Sequence, residues 1–408
     1  MIILIDVVYL LRIEVGDNNH YIYVKHLERL FNTHVNSNSV GTKLCPLCEK
    51  KIDEKEYRAH LTQCQKYGKA GTLCKLPAEG STMKFTNFKN KLERPYIVYA
   101  DVESTLVKTE HENNIHDHVP NSCCFKFVCT YDSTQDMLWH DVSIDCVENM
   151  LKELNKLAYK CINKMKHNEY MIMNAQDMSN ARCQTSCHIC NKRFQEGDVK
   201  CRDHDHRTGK FRGMAHQKCN INYYNNFYLP IVFQNLRGYD GHFIVKKAHD
   251  FITSMGKTPN MHVIPNSYEK VMSFSIGNLK FIDSIQFMAS SLEQLVENLH
   301  NTNPTTKYDN FHDMKKDFGD DIGLVCQKGF YPYEWMDDTN KLNHEGLPEI
   351  ESFYSQLSQK SISPEDYTHA QKVYTKMNCK SFRDYHLLYL KCDVLLLADV
   401  FKNFRKTC

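Results

Sequence analysis

No stretch of this sequence reaches the ~18 uninterrupted apolar residues that a membrane helix needs. The apolar start, Met1–Leu11, carries Asp6 inside it, no basic segment before it and no small-residue cleavage site. That pattern argues against a secretory signal and reads as a buried strand. Charge of one sign is lacking too, since Lys+Arg 51 against Asp+Glu 49 leaves +2. A basic coat or tail is thereby excluded, and any nucleic-acid affinity has to come from local patches. Internal repeats and low-complexity tracts are also missing, which removes solenoids and disordered linkers from consideration. What the chain does have is cysteine: eighteen, accompanied by twenty-one histidines, in 408 residues. At about 4% this falls short of the ~8–10% of a small disulfide scaffold. In a chain that is not secreted the thiols stay reduced, so close Cys/His clusters read as zinc sites. Cys123, Cys124, Cys129, Cys146, Cys161, Cys326 and Cys379 stand apart from such clusters and read as buried thiols.

The length allows two or three domains. Residues 1–40 read as a strand, a turn at Gly16-Asp17-Asn18-Asn19 and a second strand around His20–Lys25. A strong strand follows at Tyr96–Glu103, then a polar, loop-like stretch over 106–122. Residues 148–166 put Met150, Leu151, Leu154, Leu157, Ala158, Cys161, Ile162 and Met165 at helical spacing. Leu229–Phe233 and Lys280–Asp283 read as strands. Ser363-Pro364-Glu365-Asp366 has the cap, first-turn proline and acidic third position of a helix start. A buried helix is expected over roughly Asp384–Arg405. This order makes the chain mixed α/β with small metal-bound inserts.

The first Cys/His cluster is Cys45-x2-Cys48-x11-His60-x3-Cys64. Two thiols three apart grip a tetrahedral ion from one turn, and His60 and Cys64, one helical turn apart, close the site. The second spans 187–220, with Cys187-x2-Cys190 and His216-x2-Cys219 as two knuckles. Two structural Zn²⁺ ions are therefore expected. Eight Lys/Arg against four acids make 187–220 the steepest positive patch in the chain. Its Asp203-His204-Asp205-His206, Thr208-Gly209-Lys210 and closing Cys219-Asn220 resemble the treble-clef, His-Asn-His-type fold of recombination endonuclease VII. His216 stands where that family usually has a cysteine. The resemblance implies that Asp203 and Asn220 hold a catalytic Mg²⁺ while His204 activates water. It also leaves open a zinc module that grips DNA without cutting it.

Three separated segments carry carboxylates in a further pattern. In Tyr96–Glu103 an apolar strand gives way to Asp101 and Glu103, which at i and i+2 face one side. Acids emerging from an apolar strand are costly unless they meet a cation or solvent. Asn235 then precedes a glycine turn and Asp240, where a helix begins. Tyr389 and Asp393 share one face of the last helix.

Taken in order, these segments resemble the three exonuclease motifs of B-family DNA polymerases. The fold implied is a ribonuclease H-like mixed-sheet 3′–5′ exonuclease domain with an inserted treble-clef zinc module and an N-terminal zinc-finger extension. The resemblance makes Asp101, Glu103, Asp240 and Asp393 the ligands of two Mg²⁺ or Mn²⁺ ions, has Tyr389 orient the attacking water, and has Asn235 place the terminal nucleotide. Ser291-Leu292-x2-Leu295 and Lys328-Gly-Phe-Tyr331 resemble two further motifs of the protein-primed subgroup. These imply that Ser291 and Leu292 contact single-stranded DNA and that Lys328 lies near the scissile phosphate. The run from Tyr331 to Phe401 is similar to polymerases of Polinton/Maverick-type mobile elements and related viruses, which carry an endonuclease VII-like insert.

The expected organisation is an extension over 1–80, an exonuclease domain over 92–182 and 225–408, and the insert over 183–224. No palm motif follows Asp393, so DNA synthesis is not expected from these 408 residues alone. Partners implied are single-stranded DNA 3′ ends and a terminal protein primer, with no membrane. The expected location is intracellular, and nuclear in a eukaryote. A non-catalytic, zinc-dependent DNA-binding remnant and a structure-specific endonuclease acting through 187–220 remain as alternatives. The oligomeric state is not legible.

Overall fold

The computed structural model describes residues 10–15, 18–25, 42–45, 47–48, 50–67, 78–109, 116–254, 261–265, 271–302, 306–356 and 359–408. They form two units, Met1–Phe85 and Thr86–Cys408.

In the first unit, β1 (Leu10–Val15) and β2 (Asn18–Tyr23) form an antiparallel hairpin. The buried strand expected over Met1–Leu11 needs correction where it is described, because Leu10, Leu11 and Ile13 are exposed. Residues 1–9 and the predicted turn residues Gly16 and Asp17 lie outside the described residues. A small hairpin of β3 (Thr42–Leu44) and β4 (Lys51–Asp53) then leads to α1 (Tyr57–Tyr67).

The second unit is built on one mixed sheet. Its first strands are β5 (Tyr96–Lys108), β6 (His116–Cys129) and β7 (Met137–Val142), joined in antiparallel order. Helices α2 (Cys146–Lys166) and α3 (Ala175–Cys183) follow, then a hairpin of β8 (Lys200–His204) and β9 (Phe211–His216) and the short α4 (Gln217–Ile221). The chain returns to the sheet through β10 (Leu229–Phe233), α5 (Asp240–Ser254), β11 (Met261–Pro265), β12 (Val271–Ile276) and β13 (Leu279–Asp283). The order is β11-β12-β13-β10-β5-β6-β7, with β10 parallel to both β13 and β5. Helices α6 (Leu292–Asn301), α7 (His312–Phe318), α8 (Ile322–Val325), α9 (Pro364–Lys376) and α10 (Phe382–Thr407) complete the unit. Among the described residues no helix is long and apolar enough to cross a membrane.

Both faces of the sheet are covered, which is why β5 and β10 read as unbroken apolar runs. Val98, Ala100 and Val102 pack with Met150, Leu151 and Leu154 of α2 and Ile244 and Ala248 of α5. Ile97 and Tyr99 point the other way, into the layer of Leu390, Val394 and Leu397 of α10. The alternation carries on past the apolar residues, so Asp101 and Glu103 are directed to the α10 side.

Where the stretch expected as a loop over 106–122 is described, 106–108 continue β5 and 116–122 belong to β6, with Leu106 opposite His118 and Val107 opposite Asp117, while 110–115 lie outside the described residues. Backbone pairing here overrides a polar composition, and Leu106 N–H donates to the Met336 carbonyl at 3.1 Å. A bulge between Glu103 and Ser104 marks the change of register.

One histidine inside α10 ties the layers together. His386 is fully buried, with Nε2 at 2.6 Å from Ser122 Oγ and Nδ1 at 2.7 Å from the Tyr331 hydroxyl. Ser122 Oγ already donates to Asn121 Oδ1, so it accepts from Nε2–H, and Tyr331 donates to a bare Nδ1. A second proton on the ring would remove that acceptor. Burial, with a small contribution from Arg383, pushes the imidazole down to about 3. A folded-state value below the unfolded one means stability present above pH ~6.5 and lost as the pH falls. Below that point His386 is expected to cost up to about 1.4 kcal/mol per pH unit. Urea midpoints at pH 7.5 and 5.5 check this: His386→Gln should lose less on acidification than the parent, and parallel losses would clear the histidine.

Candidate active site and metal centres

The carboxylates of Asp101 and Glu103, from β5, and of Asp393, from α10, have oxygens all within 4.8 Å of one another. Asp240, the first residue of α5, is not part of that trio but lines the same cleft, of about 980 Å³. So do Asn235, Leu292 and Lys328. The turn that delivers Asp240 is tight. Asn235 sits at φ 62 and its carbonyl accepts from the N–H groups of Gly238 and Tyr239. A Cβ at position 238 would stand 2.5 Å from Asn235 Oδ1, so any larger residue there would force the Asn235 side chain to move.

Lys328 is the one lysine or arginine among the described residues lining this cleft, against the acids Asp101, Glu103, Asp240, Glu334 and Asp393. Burial and the neighbouring Asp393 raise the Asp101 carboxyl to about 7, with Lys328 opposing. Burial followed by Asp101 raises Glu103 well above the carboxylate range, and Asp240 is raised by burial, Asp101 and Glu103. Oδ1 of Asp240 and Oδ1 of Asp393 are buried without any hydrogen-bond partner. Buried like charges and bare carboxylate oxygens are costly without a cation. The donor set fits hard divalent ions, which prefer oxygen ligands.

Tyr389 is buried, with its hydroxyl 2.6 Å from that of Tyr333 and Lys328 Nζ 4.6 Å from its ring centroid. Lys328 also contacts Asp393 Oδ2. Gly329 leaves room for this ring, since a Cβ there would lie 2.8 Å from it. Ser291 uses its hydroxyl to cap α6 through the Gln294 N–H at 3.3 Å, while Leu292 next to it faces the cleft.

Several lining residues were not anticipated. Tyr333 is one, and no periodicity marks it. Tyr239 is another: its hydroxyl bonds Ser104 Oγ and lies 2.8 Å from His118 Nδ1. His118 escaped notice because its segment read as loop. A polar network behind the site was equally invisible. Asp399 accepts from the Asp313 and Met314 N–H groups at the start of α7, and Asp313 pairs with Lys402 and, at 3.7 Å, with Lys126.

Both Cys/His clusters converge, each with ligand atoms within 4.8 Å of one another, and both can hold zinc. His60 Nε2 is 3.2 Å from Cys48 Sγ and from Cys64 Sγ. In the second, His216 Nδ1 is 3.5 Å from Cys190 Sγ and 3.8 Å from Cys219 Sγ. The other ring nitrogen meets Asp198 Oδ2 at 3.2 Å, the kind of outer carboxylate that orients a histidine ligand. Burial alone would push the Cys187 thiol up, but N–H groups of Cys190, His216 and Ile189 outweigh it and bring it to about 7.

The residues singled out for a second nuclease centre are differently engaged. Asp203 is buried, and Arg212 grips both its oxygens at 2.8 and 2.9 Å while His188 Nε2 adds a contact at 2.9 Å. Those contacts hold the Asp203 carboxyl below its ordinary range against the opposing effect of burial. His204 Nε2 faces the Glu169 carbonyl at 3.2 Å. Asn220 lies on α4, next to Cys219. As a metal ligand Asp203 would have to release an arginine that already neutralises it. Comparison of the chain with protein-family models, with curated proteins and with solved structures finds no match.

Proposed function

We propose that the large cleft is the active centre of a metal-dependent 3′–5′ DNA exonuclease on a ribonuclease H-like sheet, akin to the exonuclease portion of a B-family, protein-primed DNA polymerase. The observation that carries this reading is the meeting of Asp101, Glu103 and Asp393 beside Asp240 in one open cleft. Mg²⁺ or Mn²⁺ ions held by these four acids would activate water and offset the charge on the phosphate. Tyr389, steadied by Tyr333, positions the water that attacks phosphorus. Lys328 brings positive charge to the Asp393 side of the phosphate. Asn235 and Leu292 line the space for the 3′-terminal nucleotide. Attack breaks the bond to the 3′ oxygen of the preceding residue and releases a nucleoside 5′-monophosphate.

The natural substrate in this reading is a single-stranded 3′ end, with a terminal protein primer as a further partner and the nucleus as the location in a eukaryotic host. The 187–220 module is then a treble-clef zinc element that serves grip rather than cleavage, since Asp203 is committed to Arg212. The test is Mg²⁺-dependent shortening of 5′-labelled single-stranded DNA with mononucleotide release. An inert chain, or trimming from the 5′ end, would overturn the assignment. Tyr389→Phe is expected to lower kcat by about tenfold to a hundredfold at similar KM. An unchanged rate would remove the tyrosine from the mechanism.

A further inference from the structure

A second cleft, of about 390 Å³, is lined by the end of α2, the segment before β5, the turn between β8 and β9, and the residues that follow α4. Its chemistry differs from that of the acidic cleft. Lys166, His206, Arg207 and Arg212 line it, and Asp205 is its one acid among the described residues. Aromatic rings alternate with these: Tyr223, Tyr224 and Phe227, from the run Tyr223-Tyr224-Asn225-Asn226-Phe227-Tyr228. Tyr224 and Phe227 are 44% and 45% exposed, high for rings that no core requires to face solvent.

Arg207 is the centre of the arrangement. Its guanidinium lies over the Tyr131 ring at 4.4 Å, and one terminal nitrogen, Nη2, bonds Asp205 Oδ2 at 3.1 Å. The other, Nη1, is buried and has no hydrogen-bond partner. An arginine nitrogen stripped of water and left unpaired is expensive, and a phosphate oxygen is the acceptor that suits it. Arg212 has its charge answered by Asp203 and Arg207 by Asp205, so the exposed Lys166 supplies the cleft's excess positive charge.

We infer that this cleft binds a single strand of nucleic acid, with bases stacked on Tyr224 and Phe227 and the backbone phosphates drawn to Lys166 and Arg207. Exposed rings interleaved with cations are the means by which proteins hold unpaired strands without reading their sequence. The open, partly exposed rings favour a strand over a free nucleotide, which would need enclosure. The site is separate from the carboxylate cleft, and the inference stands whether or not that cleft hydrolyses DNA.

Binding of fluorescein-labelled dT10 by anisotropy tests it, in the full chain carrying Asp101→Ala and Glu103→Ala so that no strand is consumed. Tyr224→Ala with Phe227→Ala should weaken binding by at least about thirtyfold. Lys166→Gln should lower the salt dependence, as the slope of log K against log salt, by about 1. All three positions are exposed, and equal zinc content and circular dichroism will show that the variants are folded. Ultraviolet crosslinking of 5-iodouracil-substituted oligonucleotide should fall on the 223–228 peptide. Unchanged affinity and crosslinks confined to the carboxylate cleft would overturn the site. Displacement of dT10 by dTMP at equal concentration would overturn the strand as its occupant.

Discussion

Alanine at both Asp101 and Glu103 is expected to lower 3′-end hydrolysis at least about a thousandfold, the scale on which a site loses its chief electrostatic stabilisation. Both side chains come from the same face of β5 and meet Asp393 across the sheet–helix boundary. Removing them leaves Asp240 and Asp393 apart, with Asp393 still answered by Lys328. The same change should stabilise the fold. Beyond the effect of burial, Asp101 raises the proton affinity of Glu103 and both raise that of Asp240, which is a record of repulsion in the folded state. In buffer without Mg²⁺ at pH 8 the double variant is expected to gain about 1 kcal/mol, the usual exchange when a functional site is neutralised. Single-turnover rates and urea denaturation on one preparation measure both. A rate within tenfold of the parent would end the role given to these acids, while lost activity with lost stability would mean that the fold had failed.

The second large effect concerns zinc. Cys187→Ser is expected to cost one zinc equivalent and to melt residues 184–221 while the sheet stays intact. The reason is the size of the local core. The buried side chains there are few, Cys187, Ile189, Asp203, Phe211 and Ala215, with Phe194 and Tyr223 among the partly buried rings around them. So few buried side chains cannot offset the conformational entropy of some forty residues. A structural Zn²⁺ contributes about 10–16 kcal/mol of apparent binding free energy, enough to change the sign of that balance. Hydrogen exchange should show fast amides across β8, β9 and α4, with slow amides kept in β5, β10 and α10. Slow exchange throughout after zinc loss would mean that contacts such as Gln184 with Met214 hold the insert unaided.

Much of this architecture can be read from the amino acids because the local signals agree. Leu229–Phe233 is a strand with the expected limits, since an apolar run buried on both faces has no register to mistake. Ser363 caps α9 by accepting from the Asp366 N–H at 3.1 Å. The zinc clusters follow from spacing alone because each half is a single turn of chain. What escaped reading depends on distant partners. His116 and His118 look like loop residues until the opposite strand supplies their hydrogen bonds. The pair Asp203–Arg212 is formed across a hairpin whose register no motif gives. Asp313, Asp399 and Lys402 are ordinary surface types that meet in the interior. The sequence pattern puts Asp101, Glu103, Asp240 and Asp393 in one set; three of them meet within 4.8 Å, while Asp240 reaches the same cleft from the end of the turn at Asn235, which no motif spacing describes.

Helix α10 has a consequence for what this chain tolerates over evolution. Within fourteen positions it commits His386 to Ser122 and Tyr331, Tyr389 to Tyr333, Asp393 to the carboxylate trio and Asp399 to the start of α7. An α-helix turns by about 100° per residue, so deleting or inserting one residue between 386 and 399 would swing everything beyond it to another azimuth. Substitutions there can be repaired one at a time. A change of length cannot, and α10 is therefore a segment in which descendants of this chain should differ by replacement and keep their count.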